Sequence, residues 1–423
     1  MRRWWLSPFF ASVVPLVLAL ALAGCAQSEP PGDAQKRDLL ERIDASLASA
    51  SRFLVQRQSP DGAWRSEVYG PLKDGPSLTP HVLASLYFLS QGGEARAAFH
   101  RGAGFLATLL DKDGLVDAAL RYPAYSAAEA SWVAALDDPG ESGLRRQKAW
   151  IEYLRGRQLT AALGWDKSDP EFGGWGYSVS VPRKPQLGEP ADPLVASNLS
   201  ATVFGLGAML SANVAPDDSL YQDVLQFAQR CQNYHDLRDA DPEFDDGGFF
   251  FMPNDAARNK AGVAGTDRNG HTRFHSYGGA TADGLRVLLH AGLPPDHPRV
   301  LAARRWLETH FHPASNPGNF EPDREVLRNA TYYYYTWSVA HALLHLSNQP
   351  SITKNIDQWP ANLANELLKR QRPDGSWTNP YRDTKEDDPL VATPSAAAAL
   401  SICRQMIAEQ SNVHVVGHMR RDR

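Results

Sequence analysis

Cysteine is scarce in this chain, which has only three among its 423 residues. Cys25 lies close to the N-terminus, while Cys231 and Cys403 are far apart and belong to no CxxC pair or Cys/His cluster. The spacing therefore gives no structural zinc site, and we expect neither a metal nor a cofactor. Two such isolated cysteines are better explained as buried free thiols than as a disulfide.

An excess of positive charge is missing as well. The formal net charge is −5, and the sequence contains no long run of Lys and Arg. Because proteins that bind nucleic acids need positively charged surfaces, we expect no nucleic-acid partner. The chain is still rich in core-forming residues: 43% are hydrophobic, 10% are aromatic, and eleven are tryptophans, so it has the means to fold.

The first 25 residues have the composition of a targeting segment. Arg2 and Arg3 precede an apolar stretch at 9–23 that is too short for a typical membrane span. It ends in "LAGC", which resembles a bacterial lipobox with Cys25 as the lipidated residue. We therefore expect attachment to a membrane through Cys25, with a plain secretory signal as the alternative. Because no Asp follows Cys25, the resemblance implies the cell envelope, on the periplasmic side of the outer membrane.

Signals for β-strands are weak, the best being "GGFFFMP" at 247–253, and a helical pattern recurs instead. In each copy an aromatic residue is followed five residues later by Gln or an apolar residue, and the chain then turns. The pairs are Phe53 with Gln58, Phe105 with Leu110, Tyr153 with Gln158, Phe227 with Gln232, and Trp306 with Phe311, and an aliphatic copy covers 363–371. The turns carry glycines at 62, 114, 173–174, 247–248, 318 and 375.

A second helix follows each turn, and these second helices differ from the first set. They are rich in Ala, Ser and Leu and apolar nearly all round, as in "TPSAAAALSICRQMI", which is typical of buried helices. The first set, such as "RQKAWIEYLRGRQ", is charged on one face. Six pairs of outer and inner helices predict an all-α (α/α)6 toroid of six helical hairpins over residues 38–410. A signal peptide with lipobox at 1–25, a flexible linker at 26–37 and a polar tail at 411–423 complete the predicted domains.

One seven-residue stretch occurs near both ends of the toroid. "QSPDGAW" runs from Gln58 to Trp64, and "QRPDGSW" from Gln371 to Trp377. Each Gln stands at the end of an outer helix, where its amide can donate to carbonyls that lack a partner. Each Trp should cover the groove between outer helices. We interpret the motif as structural, and we expect its two copies to meet where the ring closes.

These two stretches resemble the Gln–Trp repeats of squalene–hopene and oxidosqualene cyclases, a superfamily that includes the β subunits of protein prenyltransferases. "FGGWGYS" at 172–178 and "GGFFFMP" resemble the glycine turns of the same proteins. The resemblance covers most of residues 38–410. It implies the toroid and a central cavity lined by the N-terminal ends of the inner helices.

The catalytic motifs of that superfamily do not occur here. The Asp-x-Asp-Asp of the cyclases is absent, and the nearest acidic stretches, 239–248 and 385–389, lie in polar loops. The zinc ligands of the prenyltransferases are absent from 328–337 and 388–400. The sequence thus leaves open whether the protein is an enzyme. If it is, the resemblance implies acid chemistry of the cyclase or isomerase kind, in which a buried acid protonates an alkene.

Two regions supply candidate site residues. The longest loop, 234–276, contains our candidate catalytic residues, Asp245, Asp246 and His275. As residues that line a ligand pocket we predict Tyr332, Tyr333 and Trp337 from the "TYYYYTW" run, together with His271 and Asp387.

Three classes of function remain open at this point. The first is a terpenoid-cyclase-like or prenyltransferase-like envelope protein that binds or transforms an isoprenoid or another apolar ligand. The second is a carbohydrate-active enzyme, for which Asp245 or Asp246 with Asp387 would be the carboxylate pair. The third is a non-catalytic binding or scaffold protein. The fold alone cannot choose between them, and the sequence identifies no protein partner.

Overall fold

Helices make up most of the regular structure. The computed structural model describes residues 31–419, apart from gaps at 90–92, 117–118, 187, 190–191, 236–240 and 354–355. The α-helices are α1 Pro31–Gln56, α2 Thr79–Leu89, α3 Gly93–Ala107, α4 Pro123–Asp137, α5 Glu141–Arg155, α6 Leu199–Ser211, α7 Leu220–Arg230, α8 Gly278–His290, α9 Pro298–His310, α10 Glu325–Ala330, α11 Tyr332–His345, α12 Trp359–Arg370 and α13 Pro389–Met419. Short 3-10 helices cover Gly70–Leu72, Ala161–Leu163 and Pro322–Arg324.

The helices form two concentric rings. The inner ring consists of α2, α4, α6, α8, α11 and α13, each in contact with the next, and α13 contacts α2 to close the circle. Helices α1, α3, α5, α7, α9 and α12 pack outside them, and α1 contacts both α12 and α13. The predicted (α/α)6 toroid of six hairpins is therefore confirmed.

Residue size explains which helices lie inside. The inner helix α4 presents Ala124, Ala127, Ala128 and Ala130 as buried residues, and such short side chains let neighbouring helices approach closely. The outer helix α5 instead buries one face and leaves its Arg, Lys and Glu side chains toward solvent. Helix α13 is long and apolar enough to span a membrane, but 72% of that stretch is buried within the ring, as expected for a core helix.

The Gln–Trp motif holds neighbouring units together by hydrogen bonds. The Trp64 indole donates to the carbonyl of Leu54 at 2.7 Å, and its backbone N–H donates to Thr79 Oγ1 at 2.9 Å. The amide of Gln58 donates to the carbonyls of Gly62, in its own turn, and of Ala98, in α3. The motif thus links its own outer helix, the following inner helix and the next outer helix.

The second copy of the motif closes the ring. The amide of Gln371 donates to the carbonyl of Gly375 and, at 3.0 Å, to the carbonyl of Ser46 in α1. The Trp377 indole donates to Leu367 O at 2.8 Å, and its backbone N–H donates to Thr393 Oγ1. The first and last units are therefore joined by the same contacts that join sequential units.

Several boundaries and minor elements differ from the sequence-based expectations. Helix α1 begins at Pro31, inside the segment predicted as a linker, and α13 continues to Met419, through most of the predicted tail. "GGFFFMP" is not a strand but a buried irregular segment. The strands β1 Val263–Thr266 and β2 Thr272–Phe274 instead form an antiparallel hairpin in the loop before α8.

The structure describes two of the three cysteines. Cys231 and Cys403 are free and buried, as predicted. The lipobox residue Cys25 lies outside the described residues.

Candidate functional site

A cavity of about 270 Å³ lies at the centre of the inner ring. All six inner helices contribute to its wall through residues of their first two turns, as the resemblance implied. The residues of these helices that line it are His81, Tyr125, Glu129, Ser200, Phe204, Gly279, Ala280, Asp283, Tyr334, Trp337, Val391 and Ser395. Loop residues, including Lys260, Lys385 and Glu386, complete the wall.

Aromatic rings form much of this wall. Phe204 and Trp337 stack with their ring centroids 5.0 Å apart, and Tyr125 meets Phe204 edge-on at 4.6 Å. The hydroxyl groups of Tyr125 and Tyr177 are hydrogen bonded at 2.7 Å, and burial raises the pKa of both phenols. Because these aromatic side chains pack against one another, they form a rigid surface that suits an apolar or cationic ligand.

The most deeply buried residue with a carboxyl group in this wall, which also contains Glu129 and Glu386, is Asp283. Asp283 lies in the second turn of α8 and is 1% exposed. It accepts hydrogen bonds from the hydroxyls of Tyr334, at 2.8 Å, and of Ser200 and Ser338, while Arg286 Nη1 lies 3.8 Å from Oδ1. Burial raises the pKa of Asp283, against the opposing charge of Arg286. Burial therefore favours the protonated form of this carboxyl group more than it would in an exposed aspartic acid.

Two lysines bring positive charge to the cavity. The ammonium group of Lys260 lies 3.9 Å from the centre of the Phe251 ring, and that of Lys385 lies 5.8 and 5.9 Å from the rings of Tyr69 and Tyr122. Desolvation lowers the pKa of Lys260 to about 8, although the nearby charge of Asp283 opposes this shift. Among the described residues, neither ammonium group makes an ion pair.

The carboxyl group of Glu386 has a structural role at the cavity wall. It accepts hydrogen bonds from the backbone N–H groups of Tyr333 and Tyr334 and from the Asn379 amide, at 2.8–2.9 Å. It therefore caps the N-terminus of α11, which favours a negative charge. Burial raises its pKa to about 8 in spite of these donors. Glu386 fixes the start of the helix that carries Tyr334 and Trp337.

Of the five residues predicted to line a pocket, Trp337 alone belongs to the cavity wall. Tyr332 and Tyr333 are buried away from it: the Tyr332 hydroxyl donates to Pro313 O, and that of Tyr333 to Thr378 O. The prediction for these two was wrong, since consecutive helical residues point about 100° apart and the cavity receives Tyr334 instead.

The remaining two pocket predictions need the same correction. Asp387 accepts a hydrogen bond from the Tyr69 hydroxyl, and His271 is an exposed loop residue whose side chain is 75% exposed. Neither lines the cavity.

The predicted catalytic residues also lie elsewhere. Asp245 Oδ1 lies 2.8 Å from His235 Nδ1 and 3.4 Å from Arg273 Nη2. Asp246 accepts hydrogen bonds from the Ser276 hydroxyl and from the Trp306 indole. Both carboxylates hold the loop before α8 in place. His275 follows β2 and does not line the cavity. Their hydrogen-bond partners are other residues of that loop and, for Asp246, Trp306 in α9.

Asp283 carried a signal that could have revealed it. It is an acid within "TADGLRVLLHAG", a helix predicted to be buried, and a buried carboxyl group needs either partners or a function. No cluster of three metal-binding side chains occurs in the described part of the chain.

Comparison with known proteins supports the fold. A variant of the type II terpene cyclase MstE from Scytonema, in complex with its substrate geranylgeranyl dihydroxybenzoate, is 13% identical, with coverage of 88% of this chain and 99% of that chain and a TM-score of 0.54. Another MstE variant with the same substrate gives a TM-score of 0.52 at the same identity and coverage.

A possible member of the GH105 family from Salmonella enterica serovar Paratyphi A is also 13% identical, with coverage of 92% and 99% and a TM-score of 0.49. No protein-family model and no curated protein matches the sequence. At this identity the likeness to MstE shows the toroid fold and nothing finer.

Proposed function

We propose that this protein is an enzyme that applies acid chemistry to a small apolar ligand, of the isoprenoid kind, in the central cavity. The observation that carries the proposal is Asp283, a carboxyl group that is 1% exposed, has a raised pKa and belongs to an aromatic wall. A protonated acid in such surroundings can donate its proton to an alkene that enters the cavity.

The surroundings of Asp283 suit both the carboxylate and the carbocation that this proton transfer would form. Once the proton has left, the hydroxyls of Tyr334 and Ser200 and the charge of Arg286 stabilise the carboxylate. The carbocation would be stabilised by the aromatic ring faces of the wall and by the carboxylate of Asp283, and loss of a proton back to that carboxylate would form a new alkene and restore the acid.

The size of the cavity restricts the ligand. Its volume of about 270 Å³ lies just below the roughly 300–1,000 Å³ of most ligand pockets. We therefore propose a short prenyl compound rather than squalene.

The test is turnover of geraniol, farnesol and their diphosphates by the purified protein, with products analysed by gas chromatography and mass spectrometry. Asp283→Asn keeps the shape of the side chain but cannot donate the proton, so we expect product formation to fall about 10²–10⁴-fold. Asp44→Asn, which removes an exposed carboxylate paired with Arg404, is the control and should keep wild-type turnover. Equal turnover by wild type and Asp283→Asn would contradict the proposal.

Cleavage of a glycoside is the second candidate. The observation in its favour is that Glu129 shares the cavity wall with Asp283, and glycosidases require two carboxyl groups. The aromatic rings would also stack on a sugar. Release of nitrophenol from a set of small aryl glycosides, lost in both Asp283→Asn and Glu129→Gln, would favour this candidate over the first.

We further propose that the protein acts in the cell envelope, attached through a lipid on Cys25. The support is the "LAGC" sequence after an apolar stretch. Cys25→Ser should move the protein from the membrane fraction to the soluble periplasmic fraction, and its mass should lose the acyl groups. Unchanged fractionation together with an unchanged mass would exclude the anchor.

A further inference from the structure

Three side chains from three inner helices form a hydrogen-bonded chain in the cavity wall. The Oγ atom of Ser395, in α13, lies 3.1 Å from Nε2 of His81, in α2. On the other side of the imidazole, His81 Nδ1 lies 2.8 Å from Oε1 of Glu129, in α4. All three residues line the central cavity.

The acceptor and donor roles along this chain follow from its chemistry. An ionised glutamate only accepts hydrogen bonds, so Nδ1 of His81 must carry the proton that is donated to Glu129. In the neutral ring, Nε2 then has a free lone pair, which accepts the hydrogen bond from the Ser395 hydroxyl. The histidine is therefore held in the tautomer that can take a proton from serine, which is the arrangement of a nucleophilic serine with a histidine base and an orienting carboxylate.

The chain is also accessible from the cavity. The His81 side chain is 23% exposed and that of Glu129 is 11% exposed. Ser395 is 6% exposed, and all three residues line the cavity, so a ligand would reach the serine from the cavity side. The cavity lysines Lys260 and Lys385, whose ammonium groups lie near aromatic rings, supply positive charge in the same space.

We infer that Ser395, His81 and Glu129 form a nucleophilic relay, and that the cavity hydrolyses a small ester or another activated acyl compound. Ser395 Oγ attacks the carbonyl carbon while its proton passes to His81 Nε2. The tetrahedral oxyanion collapses, the alkoxide leaves with the proton from His81, and the acyl group stays on Ser395. A water molecule, deprotonated by His81, then releases the acid and restores the serine. Glu129 is a positioning residue, because it acts through the histidine.

The limited size of the cavity defines the substrate class. The cavity of about 270 Å³ with its aromatic wall fits a short acyl group or a small aryl ester.

The experiment is labelling of the full-length protein with a small alkyl fluorophosphonate, followed by intact-mass measurement and mapping of the modified peptide. We expect one adduct, on Ser395, formed with loss of fluoride. Ser395→Ala should show no adduct, and His81→Gln, which keeps a hydrogen-bonding side chain but loses the base, should label about 10²–10⁴-fold more slowly. Ser211→Ala is the matched control, since the Ser211 hydroxyl at the end of α6 donates to the carbonyl of Ala208 and does not line the cavity, and it should label at the wild-type rate.

Three results would overturn the inference: no adduct on the folded wild-type protein, an adduct on another residue, or an unchanged rate in His81→Gln. Because the modified peptide is mapped in the wild type, the outcome does not depend on whether Ser395→Ala folds. Hydrolysis of p-nitrophenyl acetate, with an initial burst equal to the enzyme concentration, is the corresponding turnover measurement. Labelling involves no prenyl substrate, so it succeeds or fails independently of the proposed acid chemistry.

Discussion

At the scale of single residues, the molecule contains two kinds of acid. Asp245 and Asp246 are held by His235, Arg273 and Trp306 and stabilise a loop, whereas Asp283 lies among hydroxyls and rings at the cavity. The sequence places Asp283 in a helix predicted to be buried, which distinguishes it from the two loop acids. It does not show that Asp283 faces the cavity, because an inner helix is apolar on nearly every face.

The cavity lysine Lys260 gives a prediction at the same scale. Desolvation penalises its charged form and lowers its pKa to about 8, compared with about 10.4 for an ordinary lysine. Its amine should therefore become reactive at lower pH than those of other lysines. We expect acetylation of Lys260 by a small anhydride to reach half its maximal rate near pH 8, measured by competitive labelling and mass spectrometry. The exposed Lys148 provides an internal reference, and a midpoint above pH 10 for Lys260 would contradict the prediction.

At the scale of elements, the sequence predicted the helical hairpins correctly, because a glycine turn separates the outer from the inner helix of each pair. A glycine turn marks every unit, and an aromatic residue follows closely in five of the six, so the six hairpins could be counted from the printed chain. The motif contacts involve Gln58, Trp64, Gln371 and Trp377, the residues interpreted as structural. The hairpin of β1 and β2 could not be predicted, because strands of four and three residues are too short to show an alternating pattern.

Turn glycines offer a prediction at this scale, because two of them differ in their surroundings. Gly375 has φ +88°, and a Cβ there would lie 2.5 Å from the carbonyl oxygen of Ser49 in α1. Gly114 has φ +78°, but a Cβ there meets nothing within 4 Å. Gly114→Ala should cost the roughly 1–2 kcal/mol of the left-handed conformation. Gly375→Ala should cost about 1–3 kcal/mol more, because α1 must move.

Denaturant unfolding of the two variants, monitored by circular dichroism, measures the difference. Equal losses of stability in Gly375→Ala and Gly114→Ala would mean that the approach of the last turn to α1 is not tight. Such a result would also weaken the account of how the ring closes.

At the scale of the whole molecule, the toroid differs from an open repeat protein. In an open array each unit contacts only its sequential neighbours, and the end units are the least stable. Here α13 contacts α2, and Gln371 binds Ser46 across 325 positions in sequence, so no unit is terminal. The predicted ring thus makes all six hairpins depend on one another.

This interdependence predicts cooperative unfolding. We expect one denaturation transition, with circular dichroism and tryptophan fluorescence giving the same midpoint. Gln371→Leu removes the amide that joins the last unit to α1, so it should lower the midpoint without splitting the transition. Two separate transitions in the wild-type protein would show that part of the ring folds independently.

The fixed number of hairpins has a consequence for how such a cavity can change over evolution. Adding or removing one pair alters the circumference and therefore shifts every inner helix, so intermediate ring sizes do not exist. Gradual change is left to the side chains that project inward. Truncation of Phe204 or Tyr334, each of which lines the wall, would enlarge one side of the space and leave the backbone in place. Among toroids of six hairpins, differences in ligand size should therefore depend on substitutions at a few positions of the inner helices.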